Sequence, residues 1–218
     1  MGFYEHRILP HIVNVAMNTK ELREERVRCL ADVTGAVLEI GFGTGLNLPH
    51  YPPGVTKVVG VDPSGTSAWL ARKRIAAAPF PVETIGLSAE KLPVPDASFG
   101  SIVSTFTLCT IPDVEGALRE VRRVLAPGGR FYFVEHGLAE DPRVQRWQHR
   151  LDPLEQAVMG GCHFTRPISA LIERAGLHIE QLEKGYMRGA PKFAGFRYRG
   201  VATQRPVDVP DDRGPGDA

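Results

Sequence analysis

Short apolar runs alternate with helix-periodic segments along most of this chain, and that alternation restricts its fold more than any other feature. "AVLEI" (36–40), "KVVGVD" (57–62), "VETIGL" (82–87), a stretch within 98–109 and "RFYFVEH" (130–136) read as buried strands. Helical patterns fall at 19–31, capped by Asn18 or Thr19, and at 67–78. A short helix over 46–51 is stopped by Pro52 and Pro53. In 113–129, Val114, Ala117, Leu118, Val121, Val124 and Leu125 share one face, with Asp113 at the start and Pro127-Gly128-Gly129 at the stop. Strands alternating with helices at this spacing imply βαβ units, a parallel sheet and helices on both of its faces. After His136 the rhythm breaks. A helix is expected around 143–158 and another over 166–177, and "HIEQLEKGY" and "KFAGFRYRGVA" read as two closing strands on a sheet edge.

The 218 residues suit one domain over 1–203, with a lid at 1–30, an insert at 137–165 and a disordered Pro/Asp/Gly-rich tail at 204–218. An apolar fraction of 43% fills a core without cross-links. A net charge of +1 makes no case for nucleic acid as a partner. Cys29, Cys109 and Cys162 form no CxxC, so neither a disulfide framework nor a zinc site is expected, and the adjacent Cys162 and His163 lack two further ligands. Reduced cysteines fit the cytoplasm. No signal peptide is read at the N-terminus, and no apolar run reaches the roughly 20 residues of a membrane span. None of these patterns sets an oligomeric state.

Gly41, Gly43 and Gly45 follow the first strand at once, in "VLEIGFGTGLNL". Ligands of open parallel sheets sit beyond the carboxyl ends of the strands. Glycines there would let a ligand reach backbone N–H groups. A dinucleotide loop needs GxGxxG, but here the third glycine comes one place early and Leu46 holds its position. No Walker lysine follows, so a P-loop is excluded.

The pattern Glu39-x-Gly41-x-Gly43-x-Gly45 resembles the first motif of class I S-adenosylmethionine (SAM)-dependent methyltransferases, of the methyltransferase type 11 group. Asp62 at the end of the second strand, "LSAEKLPVPDASFGSIVSTFTLCTIPD" and "LREVRRVLAPGGRFYFVEH" extend the resemblance over roughly 30–200. It implies an α/β, Rossmann-like seven-stranded sheet of order 3-2-1-4-5-7-6 with the last strand antiparallel, an N-terminal helical lid and an insert after the fifth strand. It implies SAM as cofactor, with S-adenosylhomocysteine as product. By position, Glu39, Gly41, Gly43, Thr44 and Gly45 flank its methionine part, Asp62 takes both ribose hydroxyls with Ser64 nearby, Ala89 and Glu90 lie near adenine, and Thr105 or Thr107 near the sulfonium. Each has a plainer reading: a turn for the glycines, a loop cap for Asp62, a solvated charge for Glu90, strand propensity for the threonines.

The acceptor is read from the insert. Glu135-His136, Leu151-Asp152-Pro153 and Gly161-Cys162-His163-Phe164-Thr165-Arg166 resemble matching segments of the microsomal alkyl-thiol methyltransferases of animals, as do "YPPG" (51–54) and "TLCT" near Cys109. The membrane-anchoring N-terminal helix of those enzymes is missing. The resemblance implies methyl transfer to a small molecule, with a thiol favoured. Bacterial relatives that methylate phospholipid amines or quinone rings are the alternative. His136 is the candidate general base and Asp152 its orienting partner. The competing readings are a histidine hydrogen-bonded beneath the loop and an aspartate capping a helix at Pro153. Tyr4 and His11 are expected to face the substrate from the lid, Trp147 to line its wall, and Cys162 to border it or to pack as a small apolar residue.

Overall fold

The computed structural model describes residues 7–204. Its centre is a seven-stranded sheet of β1 (Gly35–Ile40), β2 (Val55–Val61), β3 (Val82–Ile85), β4 (Phe99–Thr105), β5 (Leu125–His136), β6 (Leu177–Tyr186) and β7 (Phe196–Gln204), in the order β3-β2-β1-β4-β5-β7-β6. The first five strands pair in parallel, and β7 runs antiparallel to both β5 and β6. The expected fold is the observed one. Among the described residues seven α-helices surround the sheet: α1 (Leu9–Ala16), α2 (Lys20–Leu30), α3 (Gly65–Ala77), α4 (Val114–Val124), α5 (Pro142–Val158), α6 (Ile168–Arg174) and α7 (Lys192–Gly195). None of the described helices is long and apolar enough to cross a membrane.

Strand side chains alternate between two packing layers. On one face Phe131 and Phe133 meet Leu118, Val121 and Val124 of α4 and Ile168, Leu171 and Ile172 of α6. On the other, Tyr132 and Val134 lie in a cluster with Cys29 and Leu30 of α2 and Ala71 of α3. Both faces are covered, which is why the central strands read as unbroken apolar runs.

Helix starts follow local chemistry. Thr19, Ser64, Asp113 and Asp141 each accept a backbone N–H at the first turn of α2, α3, α4 and α5. Pro127-Gly128-Gly129 does not end α4 as expected. The helix stops at Val124, Leu125 already pairs with Phe99, and the pairing resumes at Arg130 with Ser101. Gly128, at φ 73°, lets the extra residues bulge out within β5. Residues 86–98 join β3 to β4 without a helix, and Arg123 of α4 holds them by donating to the carbonyls of Leu92 and Val94.

Position 60 links the sheet to the loop after β1. A Cβ added to Gly60 would lie 2.4 Å from two ring atoms of Phe42 and 2.8 Å from its Cβ. Phe42 is 3% exposed and sits between Gly41 and Gly43, so it has nowhere to go. Gly60→Ala is therefore expected to cost about 1–3 kcal/mol through overpacking, read as a lowered Tm in thermal unfolding; an unchanged Tm would show that the contact relaxes freely.

Candidate active site

A cavity of about 390 Å³ opens where β1, β2 and β4 end. The loop after β1 forms its floor. Gly41, Gly43 and Gly45 adopt φ of 70°, 54° and 73°, a region that penalises any Cβ. Their uses differ. A Cβ on Gly41 would strike the Thr107 side chain at 2.1 Å, whereas one on Gly43 would meet only a carbonyl at 3.8 Å. Gly45 does not line the cavity; it turns the chain against Leu48 and Ala71. The expectation that these glycines bare their N–H groups to a ligand needs correction. Gly41 and Phe42 donate to the Val61 carbonyl, Gly45 donates to that of Phe42, and Gly43 donates to Asp62 Oδ2 at 2.9 Å.

Asp62 stands one residue beyond β2, and its Oδ1 accepts the Ser64 N–H at 2.8 Å. Each oxygen keeps a second acceptor direction. Burial pushes the carboxyl up, and the Ser64 and Gly43 N–H groups hold it down. Glu39, 1% exposed, receives Asn47 Nδ2 at 2.9 Å and the Tyr51 hydroxyl at 2.7 Å. Burial lifts it to about 7 against those two hydrogen bonds and the nearby Arg26. Asn47 also donates to Thr105 Oγ1 at 3.1 Å, joining the loop to β4.

The exit of β4 makes the opposite wall. Phe106 is a non-glycine residue at φ 54°, held there by Glu135 from the end of β5. That carboxylate, fully buried, accepts Ser104 Oγ at 2.7 Å and the N–H groups of Thr107 and Leu108 at 2.8 and 3.1 Å. Such strain at a cavity edge marks a site that the surrounding fold over-determines. Arg26 lies over the Phe106 ring at 5.3 Å, is 3% exposed, and donates to the Met17 carbonyl at 2.7 Å while its Nε has no partner. Desolvation lowers it to about 10.

The N-terminal segment closes the cavity from above with Leu9, Pro10, Val13, Met17 and Arg26. It is clipped to the glycine loop through Asn14, whose Oδ1 accepts Thr44 Oγ1 at 2.8 Å and Arg74 Nη1 at 3.1 Å. Arg74 also holds the Thr44 carbonyl at 2.9 Å.

Of the residues singled out for cofactor binding, Glu39, Gly41, Gly43, Thr44, Asp62, Ser64, Ala89, Thr105 and Thr107 line this cavity. Glu90 does not: its carboxylate turns away to accept the Asp113 N–H at 2.8 Å, at the start of α4. The catalytic pair is also displaced. Asp152 neither lines the cavity nor caps a helix, because α5 runs straight through Pro153. It accepts the Phe164 N–H at 2.6 Å, Gln156 Nε2 at 2.8 Å and His163 Nδ1 at 3.3 Å, so it binds the insert together. His136 lies behind the wall with Nε2 2.8 Å from Cys162 Sγ, and Cys162 is buried outside the cavity. Trp147 is 57% exposed under the Arg150 guanidinium, and His11 faces solvent from α1. Tyr4 lies outside the described residues, as does the tail beyond Gln204. Asn14, Arg26, Asn47, Tyr51, Arg74 and Glu135 were not anticipated as site residues. Their roles depend on partners up to 60 positions away, which no local motif signals.

Residues 38–133 match a family model described as a methyltransferase domain. The chain is 38% identical over 152 residues to thiol S-methyltransferase TMT1A of Homo sapiens, covering 68% of this chain and 62% of that protein. It is 36% identical over 104 residues to phosphatidylethanolamine N-methyltransferase of Cereibacter sphaeroides, covering 47% and 51%. The crystal structure of YcgJ from Bacillus subtilis shares its fold with a TM-score of 0.67 at 19% identity, over 84% of this chain and 97% of that one. The chain thus spans less than two thirds of the thiol S-methyltransferase it matches. Strand order, glycine loop and the carboxylate after β2 agree with these matches: residues 38–133 form a methyltransferase domain, on the fold that the solved SAM-dependent methyltransferases share.

Proposed function

We propose that the cavity binds SAM and passes its methyl group to the sulfur of a small thiol. The observation that carries the first half is the pairing of Glu39 and Asp62 across one cavity, on a loop that Asp62 itself shapes. SAM is a cation at its ammonium and sulfonium. Glu39 supplies the facing negative charge, Asp62 the remaining acceptor directions for ribose hydroxyls, and Ser88 and Ala89 a small-residue wall for a flat base. A cavity of about 390 Å³ falls in the size range of small-molecule sites.

The thiol half rests on TMT1A and on the wall chemistry. Among the described residues, the cavity's titratable side chains are Arg26, Glu39 and Asp62, and none is an imidazole or lysine suited to take a proton from an acceptor. Phe106, Ile111, Pro112 and Met159 give an apolar surround. A thiol ionises near pH 8.5 and needs the least help of the usual acceptors. Its sulfur pair forms the new bond to the methyl carbon. The old carbon–sulfonium bond breaks with its electrons staying on the cofactor sulfur, which yields S-adenosylhomocysteine, and the thiol proton leaves to solvent. A lipidic acceptor has one observation in its favour: Ile8, Ile12 and Val15 are exposed on the segment whose other side roofs the cavity.

Incubation with methyl-labelled SAM and a panel of aliphatic and aromatic thiols, beside phosphatidylethanolamine vesicles and a demethylated quinone, separates these acceptors. Label is expected in the thiols; label confined to lipid or quinone rejects the thiol reading. Asp62→Ala should weaken SAM binding by about 10–100-fold, the worth of one or two charge-assisted hydrogen bonds, and calorimetry showing equal affinity would remove Asp62 from the ribose site. With Glu39 titrating near 7 in the empty cavity, a cationic ligand must favour its ionised form. SAM affinity should therefore fall as pH drops below 7, approaching roughly tenfold per unit, and Glu39→Gln should abolish that slope.

A further inference from the structure

Cys109, His136 and Cys162 come from three separate places: the turn after β4, the last residue of β5, and the link between α5 and α6. Neither the glycine loop nor Asp62 touches them, and they stand outside the cavity. His136 Nε2 lies 2.8 Å from Cys162 Sγ, and the three donor atoms all fall within 4.8 Å of one another. The two cysteines are 2% and 7% exposed. Packing alone accounts for a buried cysteine; it does not account for an imidazole nitrogen brought against two sulfurs.

We infer that Cys109 Sγ, His136 Nε2 and Cys162 Sγ bind one soft metal ion of the zinc type. Two thiolates and an imidazole select zinc over the oxygen-seeking ions magnesium and calcium. Zinc bonds of about 2.3 Å to sulfur and 2.0–2.1 Å to nitrogen set donor atoms about 3.5–3.8 Å apart in a tetrahedron. The existing cluster spans that range, and the His136–Cys162 pair opens by less than about 1 Å to reach it. Three protein ligands leave the fourth position to water or another small donor. On binding, the two thiols release their protons to solvent, so two thiolates and one divalent cation sum to zero charge in a buried place. The Arg166 guanidinium acts on both sulfurs, and the Glu135 and Glu155 carboxylates act on His136.

The position gives the ion a structural consequence. Thr110, next to Cys109, and Gly160, two residues before Cys162, both line the cavity. An ion bridging the cysteines would pin the insert to the exit of β4 and fix that wall. The inference does not depend on which acceptor is methylated, since metal stoichiometry is read without any methyl transfer.

The test uses the full chain, reduced and stripped with a chelator, then titrated with Co²⁺. One equivalent is expected to produce thiolate-to-cobalt charge-transfer absorption with tetrahedral visible bands, and Zn²⁺ should displace it. Cys109→Ser and Cys162→Ser should each weaken binding by at least about tenfold. Cys29→Ala, whose sulfur packs in a different cluster with Leu30 and Val33, should bind as the parent does. Circular dichroism reports whether each variant keeps its fold. Folded parent protein that shows no thiolate charge transfer at one equivalent overturns the inference, and so does absorption that survives in the Cys109→Ser/Cys162→Ser double variant.

Discussion

The grip of one carboxylate on two backbone N–H groups organises the site. Asp62 reaches 19 residues back to Gly43 and two residues forward to Ser64. The backward bond holds a loop whose φ values only glycine tolerates easily, and the forward bond sets the first turn of α3. Phe42 is trapped between these constraints, packed against the bare backbone of Gly60. A loop built of glycines would otherwise be the most mobile part of the molecule, since glycine loses the most freedom on ordering. The carboxylate offsets that loss, and the remaining acceptor directions of its oxygens then face the cavity.

A second carboxylate does the same on the other wall. Glu135 fastens Ser104, Thr107 and Leu108, which keeps Phe106 in its unfavourable conformation. Glu39 differs, because its partners are side chains: Asn47 and Tyr51. Burial raises both Glu39 and Glu135 to about 7. For Glu135 the N–H donors oppose that rise and tie the loop to the sheet. For Glu39 a cationic ligand would oppose it, which makes its charge responsive to occupancy. Two buried acids with similar titration thus serve different ends, set by what each faces.

The strands and most helices were legible because burial on both faces writes unbroken apolar runs and boundary residues such as Asp113 act within a few positions, whereas the strand order came only with the family resemblance. The glycine loop and Asp62 were legible for the same reason: their spacing is local. Pro127-Gly128-Gly129 misled because a bulge and a helix stop use the same residues, and only pairing with Phe99 and Ser101 distinguishes them. His136 and Asp152 misled for a different reason. Both lie where a catalytic pair belongs along the chain, but side-chain direction depends on α5 continuing through Pro153 and on the backbone of Phe164. Arg26 carries no motif of its own; only the fold shows it buried over Phe106.

The displacement of His136 and Asp152 changes what the protein has to do to its acceptor. With both groups behind the wall, Arg26 is the only positive charge that the described residues give the cavity, and the one carboxylate lifted to about 7, Glu39, is already bonded to Asn47 and Tyr51. Under the thiol proposal, such a site would select for acceptors that lose a proton unaided and would discriminate by acidity before shape. A thiol passes that filter; an ammonium, with a proton held near pH 10.4 in the lysine case, does not. Desolvation in an apolar surround works against the thiolate that forms, and a buried guanidinium whose Nε has no partner is the one group present that counters it. On this reading the acceptor chemistry follows from what lines the wall, and the insert behind it acts by holding that wall in place.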